Sequence, residues 1–372
     1  MKKLRQISIL LLTTVIMSTN LAYAEQIVKD QIYFDAVKEY VMDNYALEVT
    51  EQQLYDAAIK GMFDALDPYS TYLDKEEYKS FLEEATGNFA GIGAVVGKKD
   101  EGFYIVSINP DSPASKSGLK PMDLLISVND QKIDIKQETE SLIKIIRGEA
   151  GTSVKLTIKR ESETISMDIV RAIIQINPIE YKTLDKNLGY IKINEFNNNT
   201  YINITKAIQD LKKQDSKKLI LDLRGNPGGS LDQVLKVANY FVPKGKTLEV
   251  QYKEGKPDIY YSTGDIQFDK VVVLIDGNTA SASEILAGAI QDTKAGTLIG
   301  TTSYGKGVVQ DLYSLKNGEA IKLTIAKYVL PSGRSINLKG LNPDIRIEYD
   351  IPEKGSDTDN QLNEAIKIIK QK

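Results

Sequence analysis

The chain has 372 residues, of which 42% are hydrophobic and 26% are charged, and its formal net charge is −4. This length predicts two or three domains, each able to bury a core of its own. The acidic balance argues against a nucleic-acid partner, because such proteins need a basic face. The sequence contains no cysteine, which excludes disulfides, thiolate nucleophiles and cysteine metal sites.

Histidine is also absent from the whole sequence. This excludes a Ser-His-Asp triad and the commonest zinc-binding chemistry. Any nucleophilic catalysis must therefore take its base from lysine, aspartate, glutamate or tyrosine. The chemistry considered below needs neither a metal nor a cofactor, and we predict none.

Residues 1–24 begin with three basic side chains, continue with an apolar run over residues 7–17 and end in Leu-Ala-Tyr-Ala. This combination is typical of a secretory signal peptide, here cleaved after Ala24. The alternative is an uncleaved membrane anchor, although the run is shorter than the roughly 20 residues that span a bilayer. We therefore expect export to the periplasm, the cell surface or the medium, with membrane association as the minority alternative.

Residues 25–84 are predicted to be helical, because apolar side chains such as Tyr33, Val37 and Tyr40 recur at helical spacing. A turn at residues 66–70 interrupts the pattern, and Asp74 is predicted to cap a further helix. The pattern carries no chemical signature. We interpret this region as a packing or dimerisation arm.

Residues 85–172 show short strand patterns together with a helix. The strands are expected at residues 89–96, 103–106, 123–128, 154–158 and 165–170, and the helix at 138–146. A segment of this length and pattern makes a self-contained small domain.

Residues 173–350 change to alternating strands and helices, and residues 351–372 form a C-terminal helical segment. The strands are expected at 190–193, 219–223 and 271–275, and the helices at 201–211, 231–241 and 282–290. Such alternation predicts βαβ units on a largely parallel sheet. Ligands bind at the carboxyl ends of the strands in such sheets, which directs attention to the turns that follow the strands.

Two of those turns can stabilise negative charge or carry a nucleophile. Residues 224–230 read Arg-Gly-Asn-Pro-Gly-Gly-Ser, and the adjacent Gly228 and Gly229 let backbone amides point outward, as an oxyanion hole or a phosphate cradle does. The segment lacks a P-loop pattern, and a plain tight turn is the alternative. Ser281 lies between a buried strand and a helix, which suits a nucleophile with the Ala282 amide aimed at an oxyanion; a simple N-cap is the alternative.

A third segment supplies a candidate base. Lys306 stands between two glycines in residues 304–310, and without histidine it is the natural base for a serine. It must be neutral to act, which requires burial or cationic neighbours. Gln310, four residues later, is placed to hold the amine by a hydrogen bond. A solvated lysine in a loop is the alternative.

Taken together, residues 222–230, 278–285 and 304–310 resemble, in order and spacing, three motifs of the carboxyl-terminal processing peptidases, the tail-specific serine peptidases of family S41. In that family the nucleophile directly precedes Ala-Ser-Glu and lies 25 residues before the lysine, which matches Ser281 and Lys306. The resemblance implies Gln310 as the partner of the lysine. It also implies that the oxyanion donors are the Ala282 amide and one amide of Gly228 and Gly229.

The resemblance spans nearly the whole chain after residue 24, including residues 67–73, 331–336 and 342–345. It implies an α/β multidomain fold with a helical N-terminal arm, a PDZ-like β-rich domain and a ClpP/crotonase-like peptidase core. It also implies a homodimer formed through the arm. Where the family often has histidine this chain has Tyr69, a departure that we interpret as structural.

Residues 85–172 resemble a PDZ domain, in which Gly91, Ile92 and Gly93 occupy the loop that binds a peptide carboxylate. A peptide would add to the sheet edge as a strand while backbone amides hold its terminal carboxylate. Arg147 would couple this domain to the active site, as in some relatives, or would simply be a solvated arginine at a helix end.

The sequence therefore predicts a serine endopeptidase that cleaves exported proteins at or near C-termini recognised by the PDZ domain. Protein or peptide substrates are the expected partners. Glu284 and Asp292 are interpreted as structural: the first as a helix-cap residue, the second as too far along the helix from Ser281. The alternatives are an inert PDZ protein that binds C-termini and, more weakly, a crotonase-like acyl-transfer enzyme.

Overall fold

The computed structural model describes residues 29–349 and 359–371. The predicted signal segment, residues 1–24, lies outside these ranges. Across the described ranges, no helix has the length and apolar character needed to cross a bilayer. By their contacts the described residues divide into two units, of which one comprises residues 29–73 with Leu312–Leu323 and the other the remaining described residues.

The first unit contains helix α1, which includes residues 29–44, helix α2 (Glu51–Asp64) and the short strand β1 (Thr71–Leu73). Thr50 caps α2 in a reciprocal arrangement with Gln53. Lys38 on α1 donates hydrogen bonds to Glu51 and to Tyr55, which fastens the two helices together. Strand β1 pairs antiparallel with residues 320–322.

The second unit begins with helix α3 (Lys75–Thr86), which Asp74 caps as the sequence predicts. The domain predicted to be PDZ-like follows. Its elements are β2 (Asn88–Gly91), β3 (Ala94–Lys99), β4 (Gly102–Ile108), α4 (Pro113–Lys116), β5 (Leu124–Val128), β6 (Gln131–Lys132), α5 (Thr139–Ile146), β7 (Ser153–Arg160), β8 (Glu163–Val170) and β9 (Ala172–Gln175).

The PDZ strands form a sheet in the order β3-β4-β5-β7-β8, with β6 paired to β5, and β2 pairs separately with β9. Alternate side chains of these strands and one face of α5 bury a single core that includes Phe103, Leu142 and Leu156. Because β3 lies at the edge of the sheet, its outer side is open between the strand and α5.

The α/β core is built on a six-stranded sheet in the order β10-β11-β12-β15-β16-β19. All neighbours are parallel except the edge pair β10 and β11. Its strands are β10 (Ile179–Asp185), β11 (Leu188–Ile193), β12 (Lys218–Asp222), β15 (Lys270–Ile275), β16 (Thr297–Gly300) and β19 (Ile345–Arg346). The central strands β12, β15 and β16 have near-continuous apolar runs that are buried on both faces, as parallel strands require.

Helices cover both faces of this sheet. One face packs against α6 (Thr200–Lys213), α7 (Leu231–Ala238) and α8 (Ala282–Asp292), and the other against α9 (Asn360–Lys370). The antiparallel strands are β13 (Gly245–Tyr252), β14 (Asp258–Ser262), β17 (Val308–Ser314) and β18 (Ala320–Val329). In the second unit β13 pairs with both β14 and residues 326–329 of β18.

The α/β multidomain fold predicted from the sequence is confirmed, and three local predictions are wrong. The run 89–96 is not one strand, because the chain breaks at Ile92 and Gly93, where Gly93 takes a positive φ of 78°. The arm is not wholly helical, since Thr71–Leu73 is a strand paired with a segment distant in sequence. Helix α7 ends at Ala238 rather than at residue 241.

Candidate active site

Ser281 lies at the carboxyl edge of the parallel sheet, between β15 and α8, as the N-cap of the helix. Its backbone has φ 53° and ψ −115°, a strained region for a residue with a Cβ. The side chain is half-buried, whereas every residue from Ala282 to Ile290 is buried. A strained, partly accessible serine on a rigid helix N-terminus has the geometry of a nucleophile.

The turn that carries Ser281 is fastened to its neighbours by side chains. The Thr279 hydroxyl donates to the Leu223 carbonyl at the end of β12, 2.9 Å away. Asp276 Oδ1 accepts from the Asn278 amide at 3.1 Å and from the Gly225 amide at 3.0 Å. These bonds join the turn that carries Ser281, the nucleophile turn, to residues 224–230, the glycine turn. Strands β15 and β12 therefore end in a single hydrogen-bonded structure.

Asn226 holds the glycine turn against the nucleophile turn. It is fully buried, its Nδ2 donates to the Ile193 carbonyl, and its own carbonyl accepts from the Ala280 amide at 3.0 Å. The Ser283 hydroxyl donates to the same carbonyl at 3.1 Å. Asn226 is therefore a structural cross-link between the two turns, because both its side-chain amide and its backbone carbonyl are hydrogen-bonded.

The glycine turn touches Ser281 directly. A Cβ placed on Gly228 would lie 2.8 Å from Ser281 Cβ and 3.0 Å from the Ala282 nitrogen, so only glycine allows this approach. The Gly228 amide donates to Asn226 Oδ1 at 2.9 Å. The Gly228 carbonyl accepts from the Phe196 amide at 2.8 Å. In a trans peptide the carbonyl and the next N–H point in opposite directions, so the Gly229 amide points away from Phe196.

The loop carrying Lys306 packs tightly on the segment that follows β18. A Cβ on Gly305 would lie 2.8 Å from the Gly340 nitrogen, and one on Gly307 would lie 2.6 Å from the Asn337 nitrogen. The Gly307 amide also donates to Asn337 Oδ1. The glycines on either side of Lys306 thus serve close backbone packing, and the lysine itself is half-buried.

Glu284 connects the nucleophile to the lysine loop. Its carboxylate is fully buried, and Oε2 accepts from the amides of Ser281 and Lys306 at 2.8 and 2.9 Å. Oε1 accepts from the Gly305 amide at 2.8 Å and from the Ser303 hydroxyl at 2.5 Å. One side chain therefore sets the spacing of the two backbone segments that carry the candidate nucleophile and base.

Tyr328, on β18, joins the same two segments through their carbonyls. Its hydroxyl is 2.6 Å from the Lys306 carbonyl oxygen and 3.3 Å from that of Ser281. The ring is buried, at 1% exposure. On neighbouring β17, the Gln310 Nε2 donates to Thr324 Oγ1 at 3.0 Å. The predicted Gln310 therefore lies on the strand that continues from the lysine loop, bonded across to β18.

The PDZ-like domain presents a groove of about 360 Å³ along its edge strand β3. The groove is lined by β3, by α5 and by the loop between β2 and β3, and its walls are mainly apolar. Its lining residues include Phe89, Gly91, Ile92, Gly93, Val95, Ile143 and Ile146. The three residues predicted to bind a peptide carboxylate thus all line this groove.

Arg147 follows α5 at the groove. Its guanidinium lies over the Phe89 ring, 4.9 Å from the ring centroid, and is 3.7 Å from a carboxylate oxygen of Glu83 on α3. The side chain is 46% exposed. Arg147 therefore contacts both a residue that lines the groove and helix α3. An arginine surrounded only by solvent would make neither contact.

Comparison with known proteins gives consistent matches along the chain. Residues 187–347 match the model of peptidase family S41, residues 90–170 that of the PDZ domain and residues 17–77 that of the activating protease CtpB N-terminal domain. The carboxy-terminal processing protease CtpA of Bacillus subtilis is 38% identical over 347 residues, covering 89% of this chain and 74% of that protein. The chain belongs to peptidase family S41.

Other relatives agree. A probable CtpA-like serine protease of Staphylococcus haemolyticus is 38% identical over 310 residues, 82% of this chain and 62% of that protein. The solved photosystem II D1 C-terminal processing protease is 27% identical with a TM-score of 0.50, covering 83% of this chain and 85% of that one. This S41 chain is accordingly a serine-type peptidase of the C-terminal processing kind, with a PDZ domain.

In this S41 peptidase the structure brings Ser281, Ala282, Gly228, Gly229 and the Lys306 backbone together. Sequence reasoning treated Glu284 as a cap, which is correct but incomplete, and it missed Tyr328 altogether. It correctly interpreted Asp292 as structural, because this carboxylate pairs with Arg334 and accepts from the Ser332 amide. Within the described ranges, no group of acidic side chains is arranged to hold a metal ion.

Proposed function

We propose that this S41 peptidase is an endopeptidase in which Ser281 is the nucleophile and Lys306 the general base. The neutral Lys306 amine takes the hydroxyl proton as Ser281 Oγ attacks the substrate carbonyl carbon. The resulting ammonium then protonates the leaving amine, and an acyl-enzyme remains. Water, deprotonated by Lys306, hydrolyses the ester and restores Ser281. The observation that carries this proposal is the shared anchoring of the Ser281 and Lys306 amides on one buried carboxylate.

The oxyanion would be held by the Ala282 and Gly229 amides. Ala282 is the first residue of α8, so its amide needs no partner within the helix and carries the favourable end of the helix dipole. Of the two glycines, Gly228 already donates to Asn226, whereas the Gly229 amide points away from Phe196. These facts favour Gly229 as the second donor, a choice that the sequence alone left open.

Gln310 would orient the side-chain amine of Lys306. It follows Lys306 at the start of β17, and its bond to Thr324 fixes the amide on the strand pair that carries Tyr328. An amide held in this way can orient an amine without itself exchanging protons. We assign Gln310 a positioning role for Lys306.

The PDZ groove would recognise the substrate's C-terminus. A tail can add to β3 as a strand, with its terminal carboxylate at residues 91–93 and its last side chain against apolar residues such as Ile92, Ile143 and Ile146. This chemistry predicts a preference for an apolar final residue with a free carboxylate. Export of the enzyme remains our prediction from residues 1–24, and exported proteins would then be its substrates.

The catalytic assignment is tested with an unfolded protein substrate that ends in an apolar residue, whose fragments are followed by mass spectrometry. Ser281→Ala should abolish cleavage. Lys306→Arg should also abolish it, because a guanidinium keeps its charge at any working pH and cannot accept the serine proton. Lys339→Arg, on the exposed segment beside the loop, is the matched control and should retain activity. Full activity in either of the first two variants would overturn the assignment.

The alternative is an inert PDZ protein that only binds C-termini. Two further substrates separate this from tail-guided proteolysis: one with its C-terminus amidated and one with a terminal aspartate. Slower cleavage of both supports groove recognition. Binding of the apolar tail without serine-dependent cleavage of any substrate would favour the inert alternative.

A further inference from the structure

Arg224, the first residue of the glycine turn, is held by carboxylates from two parts of the core. Asp222, the last residue of β12, accepts from Arg224 Nε at 2.9 Å, and Asp359 accepts from Nη1 and Nη2 at 3.0 and 2.7 Å. Nη2 also donates to Asp222, and Nη1 to Gln361, so all five N–H groups of the guanidinium are hydrogen-bonded. The Arg224 side chain is 14% exposed and that of Asp222 is 2% exposed. We call these four residues the Arg224 cluster.

Asp359 brings the C-terminal helix α9 into this cluster. It is the N-cap of α9, and its Oδ1 accepts from the Leu362 amide at 2.9 Å. At the other end of the helix, the Ile369 carbonyl accepts from Lys218 Nζ at 3.0 Å, and Lys218 is the first residue of β12. Helix α9 therefore spans the length of β12 and places its first residue beside the glycine turn. It lies after the residues that match the family model, which end at 347.

The backbone of the glycine turn carries the position of Arg224 to the active site. The Gly225 amide, directly after Arg224, donates at 3.0 Å to Asp276 Oδ1 in the nucleophile turn. Beyond Gly225, Asn226 Oδ1 accepts from the Gly228 amide at 2.9 Å. Arg224 thus fixes the point at which the glycine turn leaves β12. A shift at that point would displace the amide that follows Gly228.

Net stability is a poor explanation for an ion cluster in this place. Desolvation offsets much of the attraction between buried charges, and replacing a whole buried ion cluster with apolar side chains is often neutral. A guanidinium with every donor paired instead supplies a fixed direction and distance for each bond. An oxyanion donor needs such fixing, because it must be in place before charge develops on the substrate oxygen. The Arg224 cluster is therefore suited to hold the turn in the geometry that the Gly229 amide requires.

We propose that Arg224 and Asp359 are positioning residues for the oxyanion hole, because their pairing fixes the glycine turn that presents the Gly229 amide. The proposal rests on the function proposed above and adds helix α9 to the parts of the chain that set the rate of the chemical step. Both residues act through the backbone of the turn and not by contact with the substrate. Weakening their pairing should therefore lower kcat and leave KM for a short substrate unchanged.

The test compares two substrates too short to reach the PDZ groove: a blocked alanine 4-nitrophenyl ester and the thionoester in which sulfur replaces its carbonyl oxygen. Ser281 Oγ attacks the same carbon in both, and the 4-nitrophenolate that leaves is followed by its absorbance. Sulfur is a weak hydrogen-bond acceptor, so the oxyanion hole accelerates cleavage of the oxygen ester more than that of the thionoester. The ratio of the two kcat/KM values therefore measures the oxyanion hole. A smaller folded fraction lowers both values equally and leaves the ratio unchanged.

Asp359→Asn and Asp359→Ser keep a good N-cap residue on α9 while weakening or removing the pairing with Arg224. We expect each to lower the oxygen-to-sulfur ratio at least about threefold, with the larger effect in the serine variant because its side chain is shorter. Arg224→Lys keeps the charge without the five-donor fork and should act in the same direction. Asp292→Asn is the matched control, because Asp292 also pairs with an arginine, Arg334, but at the far end of α8 from Ser281. Its ratio should equal that of the wild type.

Each outcome has a separate meaning. A wild-type ratio in folded Asp359→Asn and Asp359→Ser overturns the positioning role and leaves the peptidase assignment intact. An equal fall in Asp292→Asn also overturns it, because the ratio would then report a general loosening of the core. Ester cleavage that persists in Ser281→Ala overturns the proposed function, and the positioning role with it. Where the variants at position 359 fail to fold, the ratio measured for Arg224→Lys decides.

Discussion

Glu284 accepts a 2.9 Å hydrogen bond from the backbone amide of Lys306, although the two residues belong to different elements. The same carboxylate oxygen accepts the amide of Ser281 at 2.8 Å. Because the carboxylate is buried and has four donors, it is a rigid spacer between the two segments that we propose to carry the nucleophile and the base. Correct positioning of reacting groups contributes strongly to rate, and a misplacement of about 1 Å can lower the rate about 100-fold.

The substitution Glu284→Gln tests this role. Glutamine keeps the shape but replaces one acceptor oxygen with an NH2 that faces amide donors. We expect a loss of about 2–4 kcal/mol in the free energy of unfolding, because buried hydrogen bonds to a charged group are lost. We also expect kcat to fall by about 10- to 100-fold with little change in KM. Urea unfolding and steady-state kinetics measure the two effects, and Glu254→Gln, in the exposed turn before β14, is the matched control. An unchanged kcat in folded Glu284→Gln contradicts the spacer role.

A second prediction concerns Tyr328, whose hydroxyl lies 2.6 Å from the Lys306 carbonyl oxygen. Tyr328→Phe removes only that oxygen from a buried ring. We expect a loss of about 1–2 kcal/mol in unfolding free energy, from the carbonyl left without this donor. We expect kcat to fall while KM for a tail-bearing substrate stays constant, because the groove is untouched. Tyr261→Phe, on an exposed ring, should change neither. A change confined to KM would assign Tyr328 to substrate binding instead.

The part of the site that could be predicted from sequence is the part set by local pattern. A buried strand, a turn and a small-residue helix place Ser281, and adjacent glycines mark the turn proposed to hold the oxyanion, because these features depend on neighbouring residues. Glu284 and Tyr328 each contact Lys306, which lies 22 positions away in the sequence from either of them. Tyr328 also contacts Ser281, 47 positions away. No single-sequence pattern encodes such pairings, since the sheet register and loop packing decide them.

The fold shows the same division. The parallel core and most PDZ strands follow from apolar runs and turn residues, whereas β1 was missed because it exists only through its pairing with residues 320–322. Residues 89–96 were predicted to be a single strand because their apolar character continues through the loop at Ile92 and Gly93. There the apolar side chains line a groove instead of a strand face. Composition alone cannot separate those two uses of the same residues.

A third prediction concerns residues 91–93 of the PDZ domain, the loop that we propose binds the carboxylate of the substrate tail. Gly93 has φ 78°, and a Cβ there would lie 2.4 Å from Ser112 Cβ. Gly93→Ala should therefore displace the loop and raise the Kd of an apolar-tailed peptide by at least about tenfold, or about 1.4 kcal/mol. Gly118→Ala is a matched control, because Gly118 also has positive φ, 81°, but has nothing within 4 Å of a Cβ. The two variants share the backbone strain and differ only in the clash.

Catalysis on a short peptide that does not reach the groove measures whether Gly93→Ala leaves the active site formed. We expect Ser281 to be labelled by a phosphonate in both glycine variants. Equal tail affinity in Gly93→Ala and Gly118→Ala would show that residues 91–93 do not hold the carboxylate.

A fourth prediction concerns the pH dependence of the C-terminal helix. Burial alone would raise the pKa of Asp359, but its hydrogen bonds with Arg224 and the Leu362 amide outweigh burial and lower that pKa. Arg224 also pairs with Asp222 and donates to Gln361, so α9 is fastened directly to the strand end that precedes the glycine turn. A lowered pKa means that this stabilisation is present above the unfolded value of about 3.9 and is lost as the pH falls through the folded value.

Asp359→Asn removes that dependence. We expect wild type to be more stable than the variant at pH 6–7, and the difference in urea midpoint to shrink towards zero as the pH falls below about 3.9 and through the lowered pKa of Asp359. Asp100→Asn, in the exposed turn after β3, is the control and should follow wild type throughout. A stability difference that persists unchanged at low pH would show that Asp359 acts by packing and not by its charge.

A fifth prediction concerns the N-terminal arm, residues 25–84. In the single chain, one apolar face of its helix α1 is exposed. Tyr33, Val37 and Tyr40 share that face at helical spacing, and the two tyrosines are 73% and 71% exposed. Large exposed apolar faces mark interaction surfaces, and the homodimer expected for this family would bury this one. Light scattering should report twice the chain mass for the wild type and the single mass for Tyr33→Glu/Tyr40→Glu. Tyr261→Glu introduces the same charge at an exposed tyrosine outside the arm and should stay dimeric. A wild type that is monomeric at micromolar concentration would refute the dimer, and a double variant that remains dimeric would place the interface on another surface.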